Sequence, residues 1–102
     1  MSKEKVFNCL NVGFENKKTY DEIKSETGLD KRLIRKCVHE LRENGYPIIS
    51  SSNYSGFWLP TIENGISEVT SLRNETMHRI NELYKIVKCC DDFILYQESL
   101  EL

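Results

Sequence analysis

The sequence predicts an α+β chain that is mainly helical: three short helices, a β-hairpin and then one long helix. Three observations predict it. Thr27-Gly28-Leu29 is a turn signal, followed at once by Asp30, a residue suited to starting a new helix. The stretch from Tyr46 to Pro60 sets two short apolar runs on either side of a small polar loop. From Val69 onward, apolar residues recur at helical steps of three and four.

Taken in order, residues 3–12 read as a first helix, with Val6, Leu10 and Phe7 inward and Gly13 as its end. Phe14 to Lys18 is a short polar link that Phe14 can anchor to the core. Thr19 precedes Glu22 by three residues, which is a capping box, so a second helix is expected from Tyr20 to about Glu26. Ile23 faces the core from it. Gly28 ends this helix because glycine takes the left-handed conformation at little cost. Asp30 caps a third helix over about Lys31 to Asn44, which Gly45 and Pro47 close.

The third helix has two separate faces. At about 100° per residue, Lys31, Arg32, Arg35, Lys36 and His39 span roughly 140°, while Leu33, Ile34, Cys37, Val38 and Leu41 fill the opposite arc. The cations sit near the helix N-terminus, where the helix dipole does not favour them. Helix stability therefore does not account for their position. A phosphate backbone or the edges of guanines would.

Tyr46 to Ser50 begins one strand, and Phe57-Trp58-Leu59 returns before Pro60 stops it. The tip between them holds Asn53, Tyr54 and several serines, which can donate to phosphate oxygens. It contains no Lys or Arg, so its electrostatic contribution is small.

Beyond Thr61, residues Val69, Leu72, Thr76, Ile80, Leu83, Val87 and Cys90 follow steps of 3, 4, 4, 3, 4 and 3. This is a heptad-like seam broken once. A helix from Ile62 or Ser67 to Cys90 would be roughly 35–43 Å long, too long to bury its stripe on a head of some 60 residues. A second copy is the simplest partner, and Val69, Leu72, Ile80, Leu83 and Val87 are the expected dimer contacts. Folding back along its own domain is the alternative. Asp91-Asp92 interrupts the stripe, and the last residues remain open between helix and coil.

The 102 residues suit a head over 1–60 and a helical tail over 61–102. The net charge of −2 is unevenly divided. Residues 1–60 hold 10 basic and 8 acidic side chains, a balance of +2, and residues 61–102 hold 4 and 8, a balance of −4. Basic charge is gathered in front and acid behind, as suits a head facing nucleic acid. No apolar run reaches the roughly 18–20 residues of a membrane span, and the N-terminus has no secretory h-region, so a cytoplasmic chain is expected. Cys9, Cys37, Cys89 and Cys90 form no metal-type spacing and read as reduced thiols. His39 and His78 have no partnered nucleophile, and there is no Gly-rich phosphate loop. Neither enzyme activity, cofactor, metal nor small-molecule ligand is expected.

The stretch from Tyr20 to Leu59, with its Gly28-Leu29-Asp30 turn, the Ile34, Val38 and Leu41 core spacing and the Gly-aromatic-aromatic-Leu return strand, resembles a family. It is similar to the winged helix-turn-helix domain at the front of the biotin operon repressor and related bacterial regulators. It is also similar to small winged-helix proteins of phages and prophages, in which a strand ending in Leu-Pro leads into one long helix. The resemblance implies that Lys31, Arg32, Arg35 and Lys36 enter a major groove, and that Asn53 and Tyr54 stand at the wing tip. These residues include no biotin-binding domain, so no biotin response is expected. The function so implied is sequence-specific binding of double-stranded DNA by a homodimer, in transcription control or DNA replication. A protein-interaction module on the same scaffold is the alternative.

Overall fold

A computed structural model describes residues 2–51 and 55–101. It is α+β and mainly helical. Among the described residues the order is α1 (Ser2–Cys9), a 3-10 turn (Phe14–Asn16), α2 (Tyr20–Thr27), α3 (Lys31–Glu43), β1 (Ile49–Ser50), β2 (Phe57–Trp58) and α4 (Gly65–Glu101).

The helix starts follow from the caps. Thr19 and Glu22 form the reciprocal capping box: the Glu22 amide donates to the Thr19 hydroxyl at 3.3 Å, and the Thr19 amide donates to the Glu22 carboxylate at 3.0 Å. Asp30 accepts the Leu33 amide at 2.8 Å. Between them Gly28 ends α2 with φ of 76°.

The first helix is shorter than its sequence pattern. It stops at Cys9 rather than at residue 12. The reason lies in the backbone bonds of the next residues. The Leu59 amide donates to the Asn11 carbonyl at 2.8 Å, and the Gly13 amide donates to the Leu59 carbonyl at 2.9 Å. Residues 11–13 are thus held by the return strand instead of continuing α1.

The strands pair antiparallel, Ile49 with Trp58 and Ser50 with Phe57. Phe57 also exchanges both backbone hydrogen bonds with Lys18, at 2.8 and 2.9 Å. That pairing leaves Gly56 against Lys18. Its φ is 128°, and an added Cβ would lie 3.0 Å from the Lys18 carbonyl oxygen. Only glycine fits there.

Val6 and Leu10 from the N-terminal segment, Ile23 from α2, and Ile34, Cys37, Val38 and Leu41 from α3 form one buried cluster with Ile48 and Phe57. Arg42 fastens the end of α3 to the first strand: its Nε donates to the Ile48 carbonyl at 2.9 Å and its Nη2 to the Ser50 hydroxyl at 3.0 Å. Trp58 packs outside this cluster, edge-on to Phe14 at 5.2 Å between ring centres.

The chain divides into two compact units at Leu72, inside α4. In the first unit, Glu68 ties the start of α4 to the chain before it. Its carboxylate accepts the Trp58 indole N–H at 2.5 Å and the Thr61 amide and hydroxyl at 3.1 and 3.0 Å. Desolvation raises the Glu68 carboxyl pKa, but these three donors outweigh it and hold the group below its ordinary value. The second unit is the rest of α4. It continues through Asp91 and Asp92 to Glu101, with Lys88 paired to Asp92 at 3.0 Å one turn on. No described helix is long and apolar enough to cross a membrane.

Candidate nucleic-acid interface

α3 buries Ile34, Cys37, Val38 and Leu41, and this fixes its rotation about its own axis. Lys31, Arg32, Arg35, Lys36 and His39 are consequently all exposed. The cationic ridge expected from the helical spacing therefore exists as one continuous face.

Tyr20, the first residue of α2, organises one side of that face. Its ring stands edge-on against Phe57, 5.1 Å between centres, which anchors it to the core. Its hydroxyl accepts a hydrogen bond from Arg35 Nε at 3.1 Å. The Lys31 ammonium lies 4.8 Å from the centre of the same ring, and the Arg35 guanidinium carbon 5.5 Å. Two of the four cations thus stand on one anchored aromatic. Bonding through Nε leaves both terminal nitrogens of Arg35 as a fork able to meet a planar pair of acceptors.

Arg32 and Lys36 differ from that pair. Among the described residues neither has an ion-pair partner. His39 lies 3.6 Å from the Glu43 carboxylate, one turn along, so this end of the face carries an acid beside the imidazole. Lys18, behind the face, is ion-paired to Glu26 on α2. Helical spacing places Lys31 and Arg35 on the ridge but does not show the aromatic ring that supports both. Nothing in helical spacing indicates that the Tyr20 hydroxyl reaches Arg35, fifteen residues ahead.

Asn53 and Tyr54, expected at the hairpin tip, lie outside the described residues. Of the residues expected to mediate pairing of two copies, Val69 and Leu72 are half-buried in the first unit, and Ile80, Leu83 and Val87 are exposed in the second. The thiols offer no activated nucleophile in the head. Burial pushes both Cys9 and Cys37 up from the ordinary thiol range, and Cys9 donates to the Val6 carbonyl at 3.1 Å.

The face can therefore present up to four fixed cations, two of them pre-positioned on Tyr20, with Glu43 at one end. That suits a ligand with closely spaced phosphates and planar hydrogen-bonding edges. No family model matches the chain, and no curated protein or solved structure matches it.

Proposed function

We propose that this chain binds double-stranded DNA sequence-specifically, as a winged helix-turn-helix domain over residues 1–60 that self-associates through the helix beyond it. Transcription control or DNA replication in a bacterium or phage is the corresponding role. The observation that carries the reading is the exposed ridge of Lys31, Arg32, Arg35 and Lys36 on a helix rotated into place by its buried opposite face. α3 lies along the major groove in this reading, with α2 bracing it. Arg32 and Arg35 read bases, since a guanidinium pairs bidentately with guanine, and Lys31 and Lys36 hold phosphates. Asn53 and Tyr54 touch the backbone from the wing. Val69, Leu72, Ile80, Leu83 and Val87 contribute to the pairing of two copies.

The test starts from selection of random duplexes on purified protein, followed by titration of the enriched duplex and a scrambled one. Arg32→Ala and Arg35→Ala should each weaken the preferred site by about 1–3 kcal/mol and leave the scrambled duplex much less affected. Lys31→Ala and Lys36→Ala should weaken both duplexes alike, each lowering the salt slope by about one. Failure to enrich any sequence removes the base-reading claim.

A second reading rests on the apolar side chains that α4 leaves exposed. They favour a module that captures another protein. Salt-insensitive capture of a protein together with no retention on DNA would select it.

A further inference from the structure

The α4 seam, broken once where two steps of four meet at Thr76, becomes regular in a second frame. Starting from Ile80 and stepping strictly by three and four, one set of positions holds Arg73, Ile80, Val87 and Ile94. The other holds Thr76, Leu83 and Cys90. The same spacing runs back in the sequence to Val69 and Ile66, so about four heptads alternate without a skip. Leu72 then flanks the seam instead of belonging to it. All of these positions from residue 66 to 94 lie in one uninterrupted helix.

We propose that α4 pairs with α4 of a second copy as a parallel, in-register, two-stranded coiled coil, with Arg73 and Thr76 as the polar layer that sets the register. This rests on the self-association proposed above and is independent of DNA binding. In heptad terms Ile66, Arg73, Ile80, Val87 and Ile94 take position a, and Leu83 takes position d. Four of those five a residues are β-branched, the choice that favours two parallel strands.

The polar positions decide direction. Parallel and in register, Arg73 meets Arg73 and Thr76 meets Thr76, and every apolar layer from Ile80 to Val87 meets its own kind. The two long Arg73 side chains can lie along the seam's edge and keep their heads in water. An antiparallel pair that joins Ile80 to Cys90 and Leu83 to Val87 places Thr76 against Ile94 and Val69 against Glu101. Sliding it by one heptad places Arg73 against Cys90 or Ile80 against Gln97. Each of these buries a polar group on an apolar one.

The available area suits a second helix. Ile80, Leu83, Val87 and Ile94 remain 51, 62, 50 and 52% exposed, and the flanking Tyr84, Ile86 and Phe93 are each 63% exposed. Transfer energies imply roughly 60–120 Å² of apolar surface per aliphatic side chain, so a half-exposed one offers roughly 50 Å². About ten such residues per copy give roughly 1,000 Å² over two copies, near the lower bound of a specific interface.

Cys90 supplies the readout, because parallel, in-register pairing sets it directly opposite its own copy. The full chain carrying Cys9→Ser and Cys89→Ser is treated with diamide, which takes two electrons and two protons from a pair of thiols. Mass is measured in parallel without oxidant, and linked peptides are mapped. A second variant adds Ile80→Cys to report an antiparallel neighbour of Cys90. The expected result is a species of twice the chain mass whose main linkage is Cys90 to Cys90, reduced at least tenfold by Leu83→Asp. Arg73→Ile should tighten association and broaden the register or oligomer state. A dimer that links position 80 to Cys90 instead overturns the parallel register while leaving self-association standing. A larger oligomer overturns the two-stranded form. A monomer at all accessible concentrations overturns both this inference and the self-association beneath it.

Discussion

Val6, Ile23, Ile34 and Ile48 are 0% exposed in the unit that ends at Leu72, whereas Ile80, Leu83, Val87 and Ile94 in the unit after it each keep half or more of their surface. These are the same kinds of side chain. Element length separates them. α1, α2 and α3 run 8, 8 and 13 residues, and turns and caps bring their apolar faces together. α4 runs 37 residues, about 55 Å, with no turn in it. Chain reversal is what allows a face to be covered by its own molecule. A single helix cannot cover its own face.

The largest expected effect tests that contrast directly. Ile34→Ala opens a cavity in the sealed cluster and should cost the first unit about 2–5 kcal/mol in urea unfolding. Leu83→Ala removes the same kind of side chain from an exposed site. At concentrations where copies are apart it should cost well under about 1 kcal/mol, and it should act on the association midpoint instead. Equal losses from both, independent of concentration, would break the contrast.

Next comes the backbone that makes the first unit turn. Gly56→Ala forces a side chain into a φ of 128° and against the Lys18 carbonyl. It should destabilise the unit by about 1–3 kcal/mol, with a matching fall in protection of the Lys18 and Phe57 amides from hydrogen exchange. The length of α4 should be unchanged by circular dichroism in the residual helical signal.

Glu68 sharpens the same contrast at the helix start. Glu68→Gln should cost about 1–3 kcal/mol at pH 7, because the buried Trp58 indole loses a charged acceptor. The sign with pH is definite. The folded pKa is lowered, so the stabilisation is complete above the ordinary value near about 4.3 and fades as pH falls through the lower folded value. Wild type and variant should therefore converge as the pH falls, and a gap that does not narrow at all in acid would assign the effect to packing.

Much of this was legible in the sequence where chemistry is local. Thr19 with Glu22, Gly28 and Asp30 act within four residues of themselves, and each does in the structure what its type and spacing predict. The exposed face of α3 was legible because a strong core pattern fixes its opposite side. Residues 10–12 carry a helical pattern yet leave the helix, because Leu59, which bonds Asn11 and Gly13, lies far along the chain. Glu68 is an acidic residue in a first helical turn, and its type does not reveal an indole donor ten residues away. Asp91 and Asp92 break an apolar stripe without breaking a helix, since both point to water and aspartate costs little there.

The smallest effect concerns Tyr20, which belongs to the core and to the charged face at once. Tyr20→Phe keeps the ring against Phe57 and beneath Lys31, and removes only the oxygen that accepts from Arg35. The hydrogen bond is exposed, so the stability of the first unit should move by less than about 0.5 kcal/mol. What changes is the freedom of the Arg35 fork. If the face reads DNA as proposed, affinity for the preferred duplex should fall by about 0.5–1 kcal/mol, roughly two- to fivefold, while affinity for scrambled duplex stays level. Adding Tyr20→Phe to Arg35→Ala should then cost nothing more, because the oxygen acts only through that side chain. An additive loss in the double variant would mean that the hydroxyl meets the ligand itself, and the tyrosine would move from supporting the face to being part of it.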